Sequence, residues 1–169
     1  MNRLISSVTN QSTFLMVLNL DNFHAINATY GYRVGNKVVQ EIASRLKYVP
    51  IIDHVVGRMD GNEFIVLAPI DEAEFAEHGN TYANWIIEAI ERPIEGISHE
   101  PIRLTASSGV SLLTGDYMNR QTQVYAAEAL MQQVKLDGKA GTLFVNQARE
   151  LEQHPFEHVL EKELGQALA

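Results

Sequence analysis

Apolar positions along the chain fall into short continuous runs and longer stretches at helical spacing. Phe14 to Leu20 (FLMVLNL) is short, apolar and partly β-branched, which predicts a buried strand. Val38, Val39, Ile42, Ala43 and Leu46 recur at the helical period, so the pattern predicts a helix from Gly35 to Tyr48, ended by Pro50. Two β-branched runs follow, His54 to Met59 and Asn62 to Ala68, separated by Asp60-Gly61. An Asp-Gly pair between such runs is a strong hairpin signal, because both residues tolerate the turn's unusual backbone angles. Glu72 to Ile90 reads as a helix with Ala83, Ile86, Ile87 and Ile90 on one side and an expected break at Gly79-Asn80. Arg103 to Leu113 predicts a strand of small residues, Ala126 to Leu136 a helix ended by Gly138, and Thr142 to Val145 a last short strand. Strands alternating with helices around one tight hairpin predict an α+β or α/β domain with helices packed on a central sheet.

After His154, Pro155 suits a first helical position, and Phe156, Val159, Leu160, Leu164, Ala167 and Leu168 form an apolar stripe. Two readings stand: a helix folded back on its own domain, or a linker helix leading into a downstream domain. The abrupt ends favour a domain cut from a longer protein, with residues 1–146 as the domain and 147–169 as the linker.

Composition narrows the chemistry. The 169 residues suit one domain that needs no staple to bury its core. A formal charge of −8 and a pI near 5.2 argue against a nucleic-acid or anionic-membrane surface, so any polyphosphate needs a local basic group. With no cysteine there is no disulfide, thiolate metal site or cysteine nucleophile, and a cytoplasmic location fits. The longest apolar run, Phe64 to Ile70, is far too short to span a bilayer. His154 and His158 stand four apart but lack a nearby third metal ligand, and Ser107 and Ser108, without local His or Asp, read as strand packing.

The hairpin Arg58-Met59-Asp60-Gly61-Asn62-Glu63-Phe64 resembles the signature of the GGDEF family of diguanylate cyclase domains. Leu18 to Asn27 (LNLDNFHAIN) looks like that family's first strand and loop, Asp-x-Asp-x-Phe-Lys-x-x-Asn. Tyr30-Gly31-Tyr32, Gly35-Asn36, the Thr105-x-Ser107-x-Gly109 strand and Lys135-x-x-Gly138-Lys139 continue the match, and Asn2-Arg3 stands where a truncated opening motif belongs. The resemblance implies an α+β sandwich. Its central, mostly antiparallel sheet is flanked by helices as a nucleotidyl-cyclase or ferredoxin-like palm with a signature β-hairpin. It also implies a place in bacterial cyclic-di-GMP signalling. The tail is similar to linkers that join such domains to an EAL-type cyclic-di-GMP phosphodiesterase.

An active member of the family joins two GTP molecules, using carboxylates to hold divalent cations against the triphosphate. Here the family's metal-binding acids fall on Asn19 and Asn62, leaving Glu63 and Asp21. Mg²⁺ is ordinarily held by one or two carboxylates plus phosphates. Losing two contacts that each supply several kcal/mol removes many decades of rate, at about 1.36 kcal/mol per decade. The resemblance therefore implies weak or lost Mg²⁺ binding, no tightly bound cofactor, and at most a residual catalytic role for Glu63.

Asp60 replaces the first glycine of the signature; it is read either as a turn former only or as a carboxylate that repels phosphates. The nucleotide-binding positions implied are Phe23, His24, Asn27, Asn36, Gly61, Lys135 and Lys139. Asn27 keeps the residue that reads guanine, Asn36 replaces its aspartate partner, His24 replaces a lysine, and Lys139 replaces an arginine. Lys135 and Lys139 also read simply as solvated residues at a helix end. The family's product-inhibition motif Arg-x-x-Asp falls on Ile51-Ile52-Asp53-His54, which lacks the bidentate arginine, so product binding there is not expected.

The leading expectation is an inactive module that regulates a fused EAL phosphodiesterase, with weak GTP binding. A GTP sensor, a dimerising interaction scaffold without nucleotide, and a working cyclase that tolerates asparagine are the alternatives.

Overall fold

In the computed structural model, residues 12–145 are described. The expectations for Asn2-Arg3, for His154 and His158, and for the 147–169 tail lie outside the described residues. Five strands and four helices follow in the order β1 (Thr13–Leu20), α1 (Phe23–Tyr30), α2 (Tyr32–Lys47), β2 (Val55–Arg58), β3 (Glu63–Pro69), a 3₁₀ turn (Glu72–Glu74), α3 (Phe75–Glu91), β4 (Ala106–Leu113), α4 (Tyr117–Leu136) and β5 (Gly141–Phe144). The strands lie in the order β2-β3-β1-β4-β5. Every pairing is antiparallel except β4 with β5. This is the mostly antiparallel α+β sandwich that the sequence implied.

β1 is central and all of it is buried. Its side chains alternate between two layers, as the two-residue period requires. Phe14, Met16 and Leu18 meet Val38, Ile42, Ile86 and Ile90 of α2 and α3. Leu15 and Val17 meet Val124, Ala127 and Met131 of α4. Because both faces are covered, the strand reads as an apolar run from Phe14 to Leu18, followed by Asn19 at the site end. Gly109 lets α4 approach the sheet: a Cβ there would stand 1.9 Å from the Ala127 carbonyl oxygen.

Several boundaries differ from the sequence expectation, each for a local reason. Helix α1 is absent from that expectation because it is only two turns long and no side chain caps it. Gly31, at φ 83°, ends α1 and starts α2, so α2 begins at Tyr32 instead of Gly35 and ends at Lys47. Gly79-Asn80 does not break α3. Buried Gly79 lies against the Phe75 ring, and Asn80 Nδ2 donates to the Ala76 carbonyl 2.8 Å away. The first turn expected at Glu72 is the 3₁₀ turn. β4 begins at Ala106; the chain before it is occupied by a bridge between Ile94 and Ile102. α4 begins at Tyr117, nine positions before Ala126, because Asp116 caps it by accepting from the Asn119 amide at 2.9 Å. The last strand sits one residue earlier than Thr142 to Val145.

The hairpin is present, but its turn is centred on Gly61-Asn62 instead of Asp60-Gly61. The Glu63 amide donates to the Asp60 carbonyl at 2.6 Å, and Gly61 has φ 39°. The positive angle is placed on the residue without a Cβ, which selects this register. It leaves β2 and β3 one residue shorter at the turn than expected.

Candidate functional site

The β1–α1 corner, the hairpin tip and the α4–β5 turn converge at one end of the sheet. Asn19 stands in register with Glu63 on one side and Ser107 on the other. Its Nδ2 donates to Glu63 Oε1 at 2.9 Å. Asn62 Nδ2 donates to Asn19 Oδ1 at 3.0 Å and to the Leu20 carbonyl at 2.8 Å. The orientation of Asn62 follows from this set, since the reverse would put two oxygens together at Leu20. Three of the sequence-singled residues thus form one chain of amide donors ending on a carboxylate.

Asp21 forms a second cluster and is 3% exposed. Its Oδ1 accepts from Ser107 Oγ at 2.7 Å. Its Oδ2 accepts from Thr105 Oγ1 at 2.7 Å and from the Ala140 amide at 3.0 Å. Ser107 is therefore more than strand packing: it has an aspartate partner, brought from a distant part of the chain. Beside it, Lys139 Nζ donates to Asn22 Oδ1 at 2.6 Å. Asn22 and Ala140 were missed by sequence reasoning, and Thr105 was read only as part of the Thr-x-Ser-x-Gly strand, without a site role. A signal existed for Thr105, which shares a face with Ser107 two residues on.

The remaining positions are spread around these clusters. Asn27 on α1 lies against Gly35 of α2; its Oδ1 is buried without a partner, and a Cβ on Gly35 would fall 1.8 Å from it. Asn36 is exposed in the first turn of α2, and His24 is exposed on α1. The expected first loop is therefore helix from Phe23 onward. Phe23 is half-buried and packs on the core. Lys135 is half-buried in the last turn of α4 and has no side-chain partner among the described residues. Asp60 is exposed at the hairpin tip, and Arg58 Nε donates to the Gly61 carbonyl at 2.8 Å. A cleft of about 550 Å³ runs along α1, lined by Asp21, Asn22, Thr29, Tyr30, Arg103 and Thr105 among others.

Glu128 of α4 was not anticipated. Burial, and then the charge of Glu63, raise its pKa above 4.5. At the product-inhibition position, His54 Nδ1 and Nε2 lie 2.7 and 2.8 Å from the carbonyls of Ile51 and Leu46. Among the described residues no group of three or more His, Cys, Asp or Glu is arranged to hold a metal. No described helix is long and apolar enough to cross a membrane.

A family model described as "Diguanylate cyclase, GGDEF domain" matches residues 1–141. This chain belongs to the GGDEF family. It is 30% identical over 130 residues to the Bifunctional diguanylate cyclase/cyclic di-GMP phosphodiesterase MucR of Pseudomonas aeruginosa, covering 77% of this chain and 18% of that protein. It is 29% identical over 154 residues to the Cyclic di-GMP phosphodiesterase NbdA of the same organism, covering 91% of this chain and 19% of that protein. The chain therefore spans under a fifth of these two relatives. The fold matches the crystal structure of diguanylate cyclase SiaD in complex with its activator SiaC from Pseudomonas aeruginosa. There the TM-score is 0.72 at 23% identity, over 85% of this chain and 55% of that one. It also matches the GGDEF domain of DgcB from Caulobacter crescentus in complex with c-di-GMP, with TM-score 0.67 and 23% identity over 79% of this chain and 78% of that one.

Proposed function

We propose that this chain is the catalytically silent GGDEF module of a cyclic-di-GMP signalling protein, one that binds GTP weakly and regulates a fused EAL phosphodiesterase. The observation that carries this is the chain Asn62–Asn19–Glu63. Two amide groups stand where the family holds metal-binding acids, and each turns its N–H hydrogens into the cluster. Hydrogens carrying partial positive charge repel a cation, so the donor set does not fit Mg²⁺. Glu63 is the one carboxylate of the chain and is already engaged by Asn19. Asp21 faces three donors of its own, and the nearby Glu128 has its pKa raised by burial and by the Glu63 charge.

Weak GTP binding is supported by the residues that remain. Lys135 has no competing partner among the described residues, and Lys139 stands at the corner. Asn27 keeps a buried acceptor without a partner, which a ligand donor can satisfy. The relatives MucR and NbdA, each a cyclic di-GMP phosphodiesterase in whole or part, support the fused partner. His54, tied to two backbone carbonyls with no arginine three positions before it, supports the absence of product binding there.

The full 169-residue chain incubated with GTP and either Mg²⁺ or Mn²⁺ tests the reading. No cyclic di-GMP forms, while millimolar GTP raises the melting temperature. Sustained cyclic di-GMP synthesis refutes the silent module; the absence of any GTP-dependent shift refutes the binding.

A further inference from the structure

We propose that Asp21 is a positioning residue: its carboxylate clamps the 138–140 turn to the β1–α1 corner and so sets where the Lys139 ammonium stands. The inference rests on the GTP-binding reading only for its consequence, not for the clamp itself.

The first observation is where the backbone is strained. Among the described residues four non-glycine positions have positive φ: Asn22 at 54°, Asp53 at 53°, Lys139 at 69° and Ala140 at 53°. Three of the four meet at this one place. Left-handed backbone is disfavoured for residues with a Cβ and persists only where neighbouring contacts enforce it. With Gly138 at φ 122°, the 138–140 turn has three such residues in succession.

The second observation is what enforces it. The Ala140 amide donates to Asp21 Oδ2 at 3.0 Å, and the Lys139 amide donates to the Val134 carbonyl at 2.9 Å. Asp21 is itself held in place. Thr105 and Ser107 donate to its two oxygens, and its own amide donates to the Thr105 carbonyl at 2.9 Å. A carboxylate is the group this place needs. It offers two acceptor oxygens to three donors, and bonds to an ionised acceptor are stronger than neutral ones. The two hydroxyls can reverse their bonds if the acceptor changes, but the Ala140 N–H cannot. The clamp is thus specific for an oxygen facing Ala140.

The third observation is what the turn carries. Lys139 sits in its middle and reaches Asn22, the residue after Asp21, with its Nζ. β5 begins at Gly141, directly after Ala140, and lies opposite Ser107, another donor to Asp21. One carboxylate therefore fixes both the ammonium at the corner and the start of the edge strand. Loosening it frees Lys139 to spread over many positions, which lowers its contribution to holding a phosphate.

The test is a double-mutant cycle with GTP as the probe, on the full chain. Asp21→Ala weakens GTP binding about tenfold, the scale of one charge-assisted hydrogen bond. Asp21→Asn, which keeps an oxygen for Ala140, loses less. In a Lys139→Ala background the effect of Asp21→Ala disappears, because Asp21 acts through that lysine. Equal losses in both backgrounds overturn the proposal. Hydrogen exchange separates the clamp from GTP binding and serves if Asp21→Ala does not fold. The milder Thr105→Val removes one donor to Asp21; it speeds exchange of the Ala140 amide while leaving β3 unchanged. If wild-type chain binds no GTP but this exchange responds, the clamp stands and the GTP reading fails. If Ala140 exchange is unmoved, the clamp itself is overturned.

Discussion

Asn19 and Glu63 face each other across β1 and β3, and the Asn19 amide donates to the Glu63 carboxylate at 2.9 Å. With Asn62 behind it, donating to Asn19 Oδ1 at 3.0 Å, amide hydrogens fill the space between the two strands.

Placing acids at both positions tests the silent-module reading. Asn19→Asp with Asn62→Asp removes the donors to Glu63 and to the Leu20 carbonyl and gathers three like charges. Without metal the double variant melts below wild type, because the charges repel and Leu20 loses its partner. Calorimetry with Mn²⁺ finds affinity raised about tenfold or more, and saturating metal restores the melting temperature.

Gly35→Ala places a Cβ 1.8 Å from Asn27 Oδ1. Helix propensity favours alanine by about 1 kcal/mol, and the clash costs about 1–3 kcal/mol, so the clash wins or Asn27 swings away. Because Asn27 is a side chain that can swing aside, urea unfolding shows stability within about 1 kcal/mol of wild type, while GTP affinity falls because Asn27 is displaced.

Gly109→Ala has no such escape. The Cβ would stand 1.9 Å from the Ala127 carbonyl oxygen and 3.0 Å from the Met131 nitrogen, both backbone atoms of α4. The helix must lift off the sheet. Denaturant melts show a loss of about 3 kcal/mol or more.

Glu128 gives stability a pH dependence. Burial first and the Glu63 charge second hold its folded pKa above 4.5, so the folded state keeps a proton that the unfolded state releases. Its contribution is fully present below the unfolded value and is lost as pH rises through the raised folded one. Glu128→Gln removes that loss. Urea melts show the variant gaining on wild type as pH rises from the ordinary carboxylate value through the raised one, whereas Glu63→Gln narrows that window by removing the second cause.

Much of the fold was legible because burial imposes a period. β1 reads as an apolar run from Phe14 to Leu18 since both of its faces are covered, and α2 and α3 show stripes because one side of each faces the sheet. What faded were elements with weak local signals: α1, two turns long, and the polar first turns of α4, for which the Asp116 cap was the only clue. The hairpin's existence was readable from Asp-Gly, but its centre was not, because either Asp60-Gly61 or Gly61-Asn62 satisfies the turn and strand pairing chooses between them.

The sequence alone determined the family resemblance, the hairpin, and the presence of amides at Asn19 and Asn62, since all of these are matters of residue type and local spacing. Tertiary structure decided what those residues do. Asn62 reaches Asn19 from 43 positions away, and Asp21 meets Ala140 from 119 positions away. Such partners are chosen by how strands pair and where turns close, so no local pattern announces them.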